Sequence, residues 1–218
     1  MDNRSLATGK DSTQKDSGKS MNENPKKIYT FREEVFNSIT HGIGFLFAVV
    51  ATAILLYMSI KGRETVKIVS FSIYGFCLMA LFLFSTLYHS IPFAGAKKIL
   101  RLFDHLSIFF FIAGTYTPIL LIAIKGPAKW IFLVLIWAIA ILGSTFKIFT
   151  FKKIDKYKAL NLALYIAMGW LAVFVIHRLI QNGGLELFLF ILAGGILYTV
   201  GTIFYSIKKI PHNHGIWH

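Results

Sequence analysis

Six long stretches of this chain contain no ionised side chain. They cover residues 35–60, 68–96, 105–124, 130–146, 159–177 and 187–207, and they are 17 to 29 residues long. About 20 helical residues cross a hydrocarbon layer, and as few as about 17 suffice. A β-barrel is excluded because its strands are about ten residues long and alternate in polarity, whereas these runs are continuously apolar. The pattern predicts an all-α fold, a polytopic transmembrane helical bundle with six spans.

Composition supports a chain whose solvent is largely lipid. Apolar residues make up 56% of the sequence and charged residues only 15%, against about 25% charged residues in an ordinary soluble domain. The one cysteine, Cys77, lies inside an apolar run. It has no partner in the chain, which excludes an intramolecular disulfide and a cysteine-based zinc finger.

The chain divides into a polar tail and a membrane domain. Residues 1–30 are rich in Lys, Ser, Asp, Asn and Thr, which predicts a disordered basic cytoplasmic tail. Residues 31–218 form the predicted transmembrane domain, with connecting loops at 61–67, 92–101, 125–129, 147–158 and 178–186. No apolar signal core occurs in the tail, so we expect the first span to remain as an anchor. The fourth span is the shortest, and we expect Lys129 and Lys147 to snorkel to the two interfaces.

The net charge of +13 is explained by topology. Of the 23 Lys and Arg residues, 17 fall on one side of the six predicted spans. Positively charged loops stay in the cytoplasm, so the N-terminus, the second and fourth loops and the C-terminus should be cytoplasmic. The same residues favour anionic lipid headgroups. We therefore expect membrane lipids as partners and no nucleic acid.

Polar residues gather at the predicted cytoplasmic ends of the spans. Ser85 and His89 lie four residues apart near the end of the second span, on one helical face. Asp104 stands at the start of the third span, and His214 and His218 follow the sixth, again four apart. Polar side chains at membrane depth are costly, which makes them candidates for function.

This set of residues is suited to zinc. Catalytic zinc takes three protein ligands and water, and His89, His214 and His218 can supply three. Asp104 is then placed to orient a water molecule at the metal or to accept a proton from that water. Ser85 is placed to form a hydrogen bond beside the metal-bound water. Asp104 and Ser85 are thus the candidate catalytic residues.

Simpler interpretations stay open for each residue. Asp104 alone is also typical of a helix N-cap, and the histidines are also typical of solvated interfacial side chains. We treat His105 and His212 as spectators. We place His177 and Arg178 on the opposite face. The segment Gly114-Thr115-Tyr116-Thr117-Pro118 predicts a kink in the third span.

Together these motifs resemble the hemolysin III branch of the progestin and adipoQ receptor (PAQR) superfamily. They run in family order from about residue 31 to the last residue. The matching stretches are Glu33-Glu34-x-x-Asn37-x-x-Thr40-His41-Gly42-Ile43-Gly44, Ser85-x-x-Tyr88-His89, Asp104-His105, Gly114-Thr115-Tyr116-Thr117-Pro118, Gly194-Gly195-x-x-Tyr198-x-x-Gly201-x-x-Phe204-Tyr205 and Pro211-x-x-His214-x-x-Trp217-His218.

The resemblance implies a seven-helix bundle with zinc near the cytoplasmic face. It implies His89, His214 and His218 as ligands, with Asp104 and Ser85 beside the water at the metal. The family pattern continues into a seventh helix, whereas this chain stops at His218. We therefore expect six spans, either because the family domain is truncated or because this member has only six helices.

Three functions follow as hypotheses. The first is a zinc-dependent membrane hydrolase, because the wider superfamily includes enzymes that cleave lipid amides; its substrate would be a membrane lipid. The second is a cytolytic pore, which the resemblance alone suggests. The third is a ligand-responsive receptor. In each case we expect an integral protein of the cell membrane.

Overall fold

A computed structural model of the chain describes residues 30–153 and 156–206. Within these residues the protein is all helical, and no strand occurs. The helices are α1 (Phe31–Lys61), α2 (Thr65–Ser90), α3 (Ala94–Pro118), α4 (Ala128–Phe149), α5 (Lys158–Trp170) and α6 (Ile176–Ser206). The predicted tail lies outside the described residues except for Thr30.

Helix α1 begins with a capping box and returns through a short turn into α2. The Thr30 hydroxyl accepts a hydrogen bond from the Glu33 amide, while the Glu33 carboxylate accepts one from the Thr30 amide. The two helices pack along their length. Gly75 permits this close approach, because a Cβ there would collide with the side chain of Thr52. The ends of the pair are joined by the hydroxyls of Ser38 and Ser90, 2.5 Å apart.

Helix α3 is the central element, and it packs against α2, α4 and α5. Its fully buried Phe109 and Ala113 lie in an apolar core that α4 and α5 complete with Ala140 and Met168. In contrast, large apolar side chains on the outer surface are exposed; Phe47 and Phe190 are 71% and 70% exposed. Such a surface is stable in lipid and unfavourable in water.

The kink predicted near Pro118 coincides with a change of helix type. Helix α3 ends at Pro118, and the chain continues as one π-helical turn, Ile119–Ala123. The Thr117 hydroxyl donates to the Ala113 carbonyl at 3.0 Å and accepts from Trp137 Nε1 at 3.1 Å. Tyr116 extends to the other side, where its hydroxyl donates to the Gly169 carbonyl at 2.8 Å and accepts from the Ala172 amide at 2.7 Å.

Five helical stretches of the described chain are long and apolar enough to cross a membrane, and the fifth runs from residue 159 to 203. This stretch folds back on itself. Trp170 Nε1 donates to Thr199 Oγ1 at 3.1 Å, although 29 residues of continuous helix would span about 43 Å. Midway between them lies Gly184, whose φ of 83° and ψ of 164° are not helical. The fifth and sixth predicted spans therefore lie in one stretch that reverses direction at Gly184.

One of the predicted loops is largely helical. The loop expected at 92–101 contains the first two turns of α3, whereas the one expected at 147–158 contains only the last residues of α4, a short 3-10 turn at Phe151–Lys153 and the first residue of α5. The error at 92–101 arises because Lys and Arg residues interrupt the apolar run without ending the helix. Charged residues are compatible with a helix, but the absence of charge predicts only the apolar part of each helix.

Candidate functional site

The buried histidine His89 is held by a carboxylate from another helix. Its Nδ1 lies 2.7 Å from Oε2 of Glu34, which stands in the first turn of α1. The other carboxylate oxygen, Oε1, lies 2.8 Å from Nζ of Lys97 on α3. An ionised carboxylate only accepts hydrogen bonds, so the proton between the two side chains belongs to His89 Nδ1. With this proton on Nδ1, the lone pair of the ring lies on Nε2.

Ser85 lies one turn before His89 and is also buried, which confirms that both residues share one face of α2. Its hydroxyl interacts with the carboxylate of Asp104 on α3. Ser85 Oγ makes no hydrogen bond of standard geometry within the described residues. Ser85 and Asp104, which were both predicted from the sequence as catalytic residues, are thus brought together across the α2–α3 interface.

Asp104 is not a helix N-cap. Helix α3 begins at Ala94, and its N-cap is Phe93, so Asp104 lies nearly three turns inside the helix. The expectation that Asp104 opens its helix was therefore wrong. The basic residues in the first turns of α3 lie outside the charge-free run, so the run did not indicate where the helix begins. Because a carboxylate at this position caps nothing, its role must come from the side chains around it, which include Ser85.

Helix α1 adds two more buried polar residues on the face that carries Glu34. Asn37 and His41 follow Glu34 at helical spacing, and they are 1% and 8% exposed. The rings of His41 and His89 have centroids 6.3 Å apart. Neither side-chain polar atom of Asn37 has a hydrogen-bond partner among the described residues. We call Glu34, Asn37, His41, Ser85 and His89 the His89 cluster.

A second polar cluster lies beside Asp104, on α4 and α5. Lys147 Nζ donates to the Tyr165 hydroxyl at 3.3 Å, and that hydroxyl donates to the His105 backbone carbonyl at 3.0 Å. Ser144 precedes Lys147 by one turn, and Asn161 precedes Tyr165 by one turn; both are buried. We call Ser144, Lys147, Asn161 and Tyr165 the Lys147 cluster.

The position of Lys147 corrects a second expectation. Its side chain is 3% exposed and does not snorkel to an interface. The reason is packing: the α4 face that carries Lys147 meets α3 and α5, where Tyr165 and Asp104 offset the loss of water. A lysine near the end of an apolar run looks the same in sequence whether it points outwards or inwards.

The predicted ligands are only partly represented in the described chain. His89 lies in the His89 cluster, whereas His214 and His218 fall outside the described residues. Among residues 30–153 and 156–206, no group of three or more His, Cys, Asp or Glu side chains is arranged to hold a metal ion. His177, the histidine expected on the opposite face, is exposed on α6.

Sequence reasoning assigned no role to Glu34, although a signal was available. Glu34, Asn37 and His41 are spaced by three and four residues, which places them on one face of a helix. A polar face on an otherwise apolar span indicates burial against other polar groups. What the spacing did not reveal is the partner, since Glu34 and His89 are 55 residues apart.

Comparison with known proteins decides the family. The family model described as "Haemolysin-III related" matches residues 29–218, which include the whole of the predicted membrane domain. The chain belongs to the haemolysin III family. Membership agrees with the resemblance found in the motifs and with the helical, membrane-type architecture.

Relatives within the haemolysin III family cover most of the chain. "Hemolysin-3" of Bacillus cereus is 44% identical over 86% of this chain and 84% of its own length. "Hemolysin-3 homolog" of Bacillus subtilis is 42% identical over 88% of each chain. The human "Monocyte to macrophage differentiation factor" is 33% identical over 87% of this chain and 78% of its own. No solved structure matches the chain.

Proposed function

We propose that this haemolysin III family protein is a zinc-dependent hydrolase that cleaves an amide bond of a membrane lipid. The observation that supports it best is the partly buried contact between Glu34 and His89, which is 2.7 Å long. Histidines that bind a metal almost always donate their other ring N–H to a carboxylate, a backbone carbonyl or water. This pair of a buried histidine and a partly buried glutamate therefore has the donor chemistry that a zinc ligand needs.

His89, His214 and His218 would hold the metal in this proposal. Zinc supplies Lewis-acid activation of water or of the scissile carbonyl. Glu34 keeps the His89 ring in the orientation and tautomer that present Nε2. In this proposal Asp104 accepts the proton of the attacking water, and the Ser85 hydroxyl interacts with the Asp104 carboxylate. Ser85 and His89 are buried, and exclusion of bulk water strengthens such electrostatic interactions.

We also infer a membrane topology of six spans, in which the reversal at Gly184 separates the fifth span from the sixth. The excess of Lys and Arg on one side supports a cytoplasmic N-terminus in the cell membrane and a site near the cytoplasmic face. Glu34 near the start of α1, His89 near the end of α2 and Lys97 near the start of α3 meet at one end of the bundle, which is where three successive antiparallel spans return to one side.

The proposal is tested by metal content and by activity. The full chain is purified in detergent without added metal or chelator, and its zinc is measured by mass spectrometry. Hydrolysis of a fluorescent N-acyl lipid is followed in mixed micelles. We expect one zinc per chain and activity that a chelator removes and zinc restores. His89→Ala should lose both metal and activity, while the matched control His177→Ala, altered at an exposed histidine, should keep both.

Lysis is the alternative that the names of two relatives suggest. Release of dye from lipid vesicles distinguishes it from hydrolysis. Lysis that persists when His89, His214 and His218 are all replaced, in protein that holds no zinc, would favour a pore over an enzyme. A receptor would instead bind a ligand without turning it over, and unchanged N-acyl lipid in the zinc-loaded protein would favour that function.

A further inference from the structure

A groove of about 620 Å³ runs along α2 and α3, and Trp137 of α4 also lines it. Its walls include Phe76 and Phe103, which are 70% and 42% exposed, so the groove opens on the outer surface of the bundle. Phe84 and Phe103 stack at one end, with ring centroids 5.1 Å apart. Along α2 the groove extends from Phe84 to Ser72, which corresponds to about 18 Å of helix axis. We call it the α2–α3 groove.

The walls of the α2–α3 groove are almost entirely apolar. The Ser72 hydroxyl donates to the backbone carbonyl four residues before it at 2.8 Å, and the Ser107 hydroxyl donates to the one three residues before it at 2.7 Å. The indole N–H of Trp137 donates to Thr117 Oγ1 at 3.1 Å. These donors are already bonded within the protein. An occupant must therefore be apolar, because a polar group in the groove would lose its hydrogen bonds to water.

The dimensions of the α2–α3 groove fit one hydrocarbon chain. Its length of about 18 Å is slightly more than half of the roughly 30 Å hydrocarbon layer, and half is the depth that the chains of one leaflet fill. Over this length a volume of 620 Å³ gives a mean cross-section of about 34 Å². An α-helix with its side chains is about 10–12 Å across and occupies at least about 80 Å². A helix of a second copy is therefore too wide for the groove, whereas a lipid chain is not.

A cationic side chain stands beyond the stacked end of the groove. Lys98 precedes Phe103 by five residues on α3, about 7.5 Å along the helix axis, and it is exposed. Among the described residues its ammonium forms no salt bridge, and the first turn of α3 contains no acidic residue. A phospholipid whose chain enters at this end carries its phosphate outside the hydrocarbon layer, on the side of Lys98. The charge at this end is thus complementary to an anionic headgroup.

We propose that the α2–α3 groove binds one chain of an anionic phospholipid, with the headgroup beside Lys98. Burial of apolar surface holds the chain, and the charge of Lys98 selects the headgroup. The lipid belongs to the leaflet at the end of the bundle where α3 begins. The site does not depend on zinc, because no residue of the groove belongs to the proposed ligand set.

Fluorescence quenching by a brominated lipid tests the proposal, because Trp137 lines the groove. The chain has four tryptophans. The full chain is prepared with Trp137 as its sole tryptophan, the others being replaced by Phe, and as a reference with Trp130 as its sole tryptophan. Trp130 is 55% exposed and lies outside the groove. The probe is phosphatidylglycerol with one chain brominated near its middle, titrated into micelles of a neutral detergent.

We expect quenching of Trp137 to saturate at a low mole fraction of the probe and to be reversed by unbrominated phosphatidylglycerol. Quenching of Trp130 should rise only in proportion to the mole fraction. Ala80→Leu fills the groove wall and should abolish the saturable quenching, while the matched control Ala53→Leu, at an exposed alanine of α1, should retain it.

The headgroup is tested with brominated phosphatidylcholine. One cationic side chain near anionic headgroups typically strengthens binding about fivefold. Half-maximal quenching of Trp137 should therefore need about a fivefold higher mole fraction of phosphatidylcholine than of phosphatidylglycerol. Lys98→Gln should remove this difference. Equal affinity for the two lipids in the chain that retains Lys98 would overturn the proposal, because the headgroup charge would then have no effect.

Quenching of Trp137 that never saturates, or that Ala80→Leu leaves intact, also overturns the proposal. Should Ala80→Leu fail to fold, reversal by unbrominated phosphatidylglycerol needs no groove variant, and its absence would overturn the proposal. Saturable quenching that appears only when a dimer is diluted to monomers would assign the groove to a second copy of the chain and would overturn it as well.

Discussion

Nδ1 of His89 lies 2.7 Å from Oε2 of Glu34, across the contact between α2 and α1. Lys97 from α3 lies 2.8 Å from the other oxygen of the same carboxylate. One acidic side chain thus joins three helices at the position where the sequence predicts a metal ligand, and it ties the geometry of His89 to the packing of the bundle.

Replacing Glu34 should weaken zinc binding without removing a ligand. Glu34→Gln keeps the size of the side chain but loses the charge that orients and polarises His89. Loss of such a partner typically lowers metal affinity about 10–100-fold. Competition with a chromophoric chelator measures the change. Glu64→Gln, at an exposed glutamate paired with Lys67, is the control, and equal zinc affinity in both variants would contradict the assigned role of Glu34.

Asp104 should matter for turnover more than for metal content. Asp104→Asn retains the shape but cannot accept a proton, and loss of a general base typically lowers kcat about 10²–10⁴-fold. Zinc per chain should stay at the wild-type value, in contrast to His89→Ala. The exposed Glu186→Gln serves as the control. Activity of Asp104→Asn near the wild-type rate would exclude Asp104 as the base.

Tyr116 should stabilise the junction between α3 and the end of α5. Its hydroxyl bonds both the Gly169 carbonyl and the Ala172 amide. Tyr116→Phe removes one partner from each of these backbone groups, and leaving such a group unsatisfied costs about 1–3 kcal/mol. We expect a lower free energy of unfolding in a denaturant titration. Tyr57→Phe, at an exposed tyrosine of α1, should have no effect, and equal stability of the two variants would argue against this role.

Gly184 should be required for the reversal between the two halves of the last helical stretch. Its φ of 83° and ψ of 164° lie in a region essentially restricted to glycine, where other residues cost about 1–3 kcal/mol. Gly184→Ala is therefore expected to lower the Tm of the detergent-solubilised chain. Gly194→Ala is the matched control, because a Cβ there meets no atom within 4 Å. An unchanged Tm in Gly184→Ala would show that the turn tolerates a side chain.

Several features of the site were readable in the sequence because they depend on spacing within one helix. Ser85 and His89 are four residues apart, and the structure places both on the buried face of α2. The change of helix type after Pro118 likewise follows from a residue that lacks an N–H. Local features of this kind need no knowledge of which helices are neighbours.

Other features depended on helix ends and neighbours, and these were predicted incorrectly or not at all. Asp104 was expected at a helix start because the charge-free run at 105–124 begins directly after it, yet α3 begins at Ala94. Lys147 was expected at the surface because it flanks an apolar run, yet it is buried. The charge of a side chain shows that its burial is unfavourable in free energy. Whether the side chain is nevertheless buried depends on partner groups from other helices that compensate the charge.

The sequence by itself determined that this protein is a helical membrane bundle of the haemolysin III type. Long apolar runs satisfy their backbone hydrogen bonds in lipid only as helices or closed barrels, and the motifs specify the family. Only the tertiary structure decided that Glu34 meets His89, that Asp104 faces both Ser85 and Lys147, and that the chain turns back at Gly184. Helical periodicity defines which residues share a face, whereas the pairing of faces arises from contacts between residues far apart in the chain.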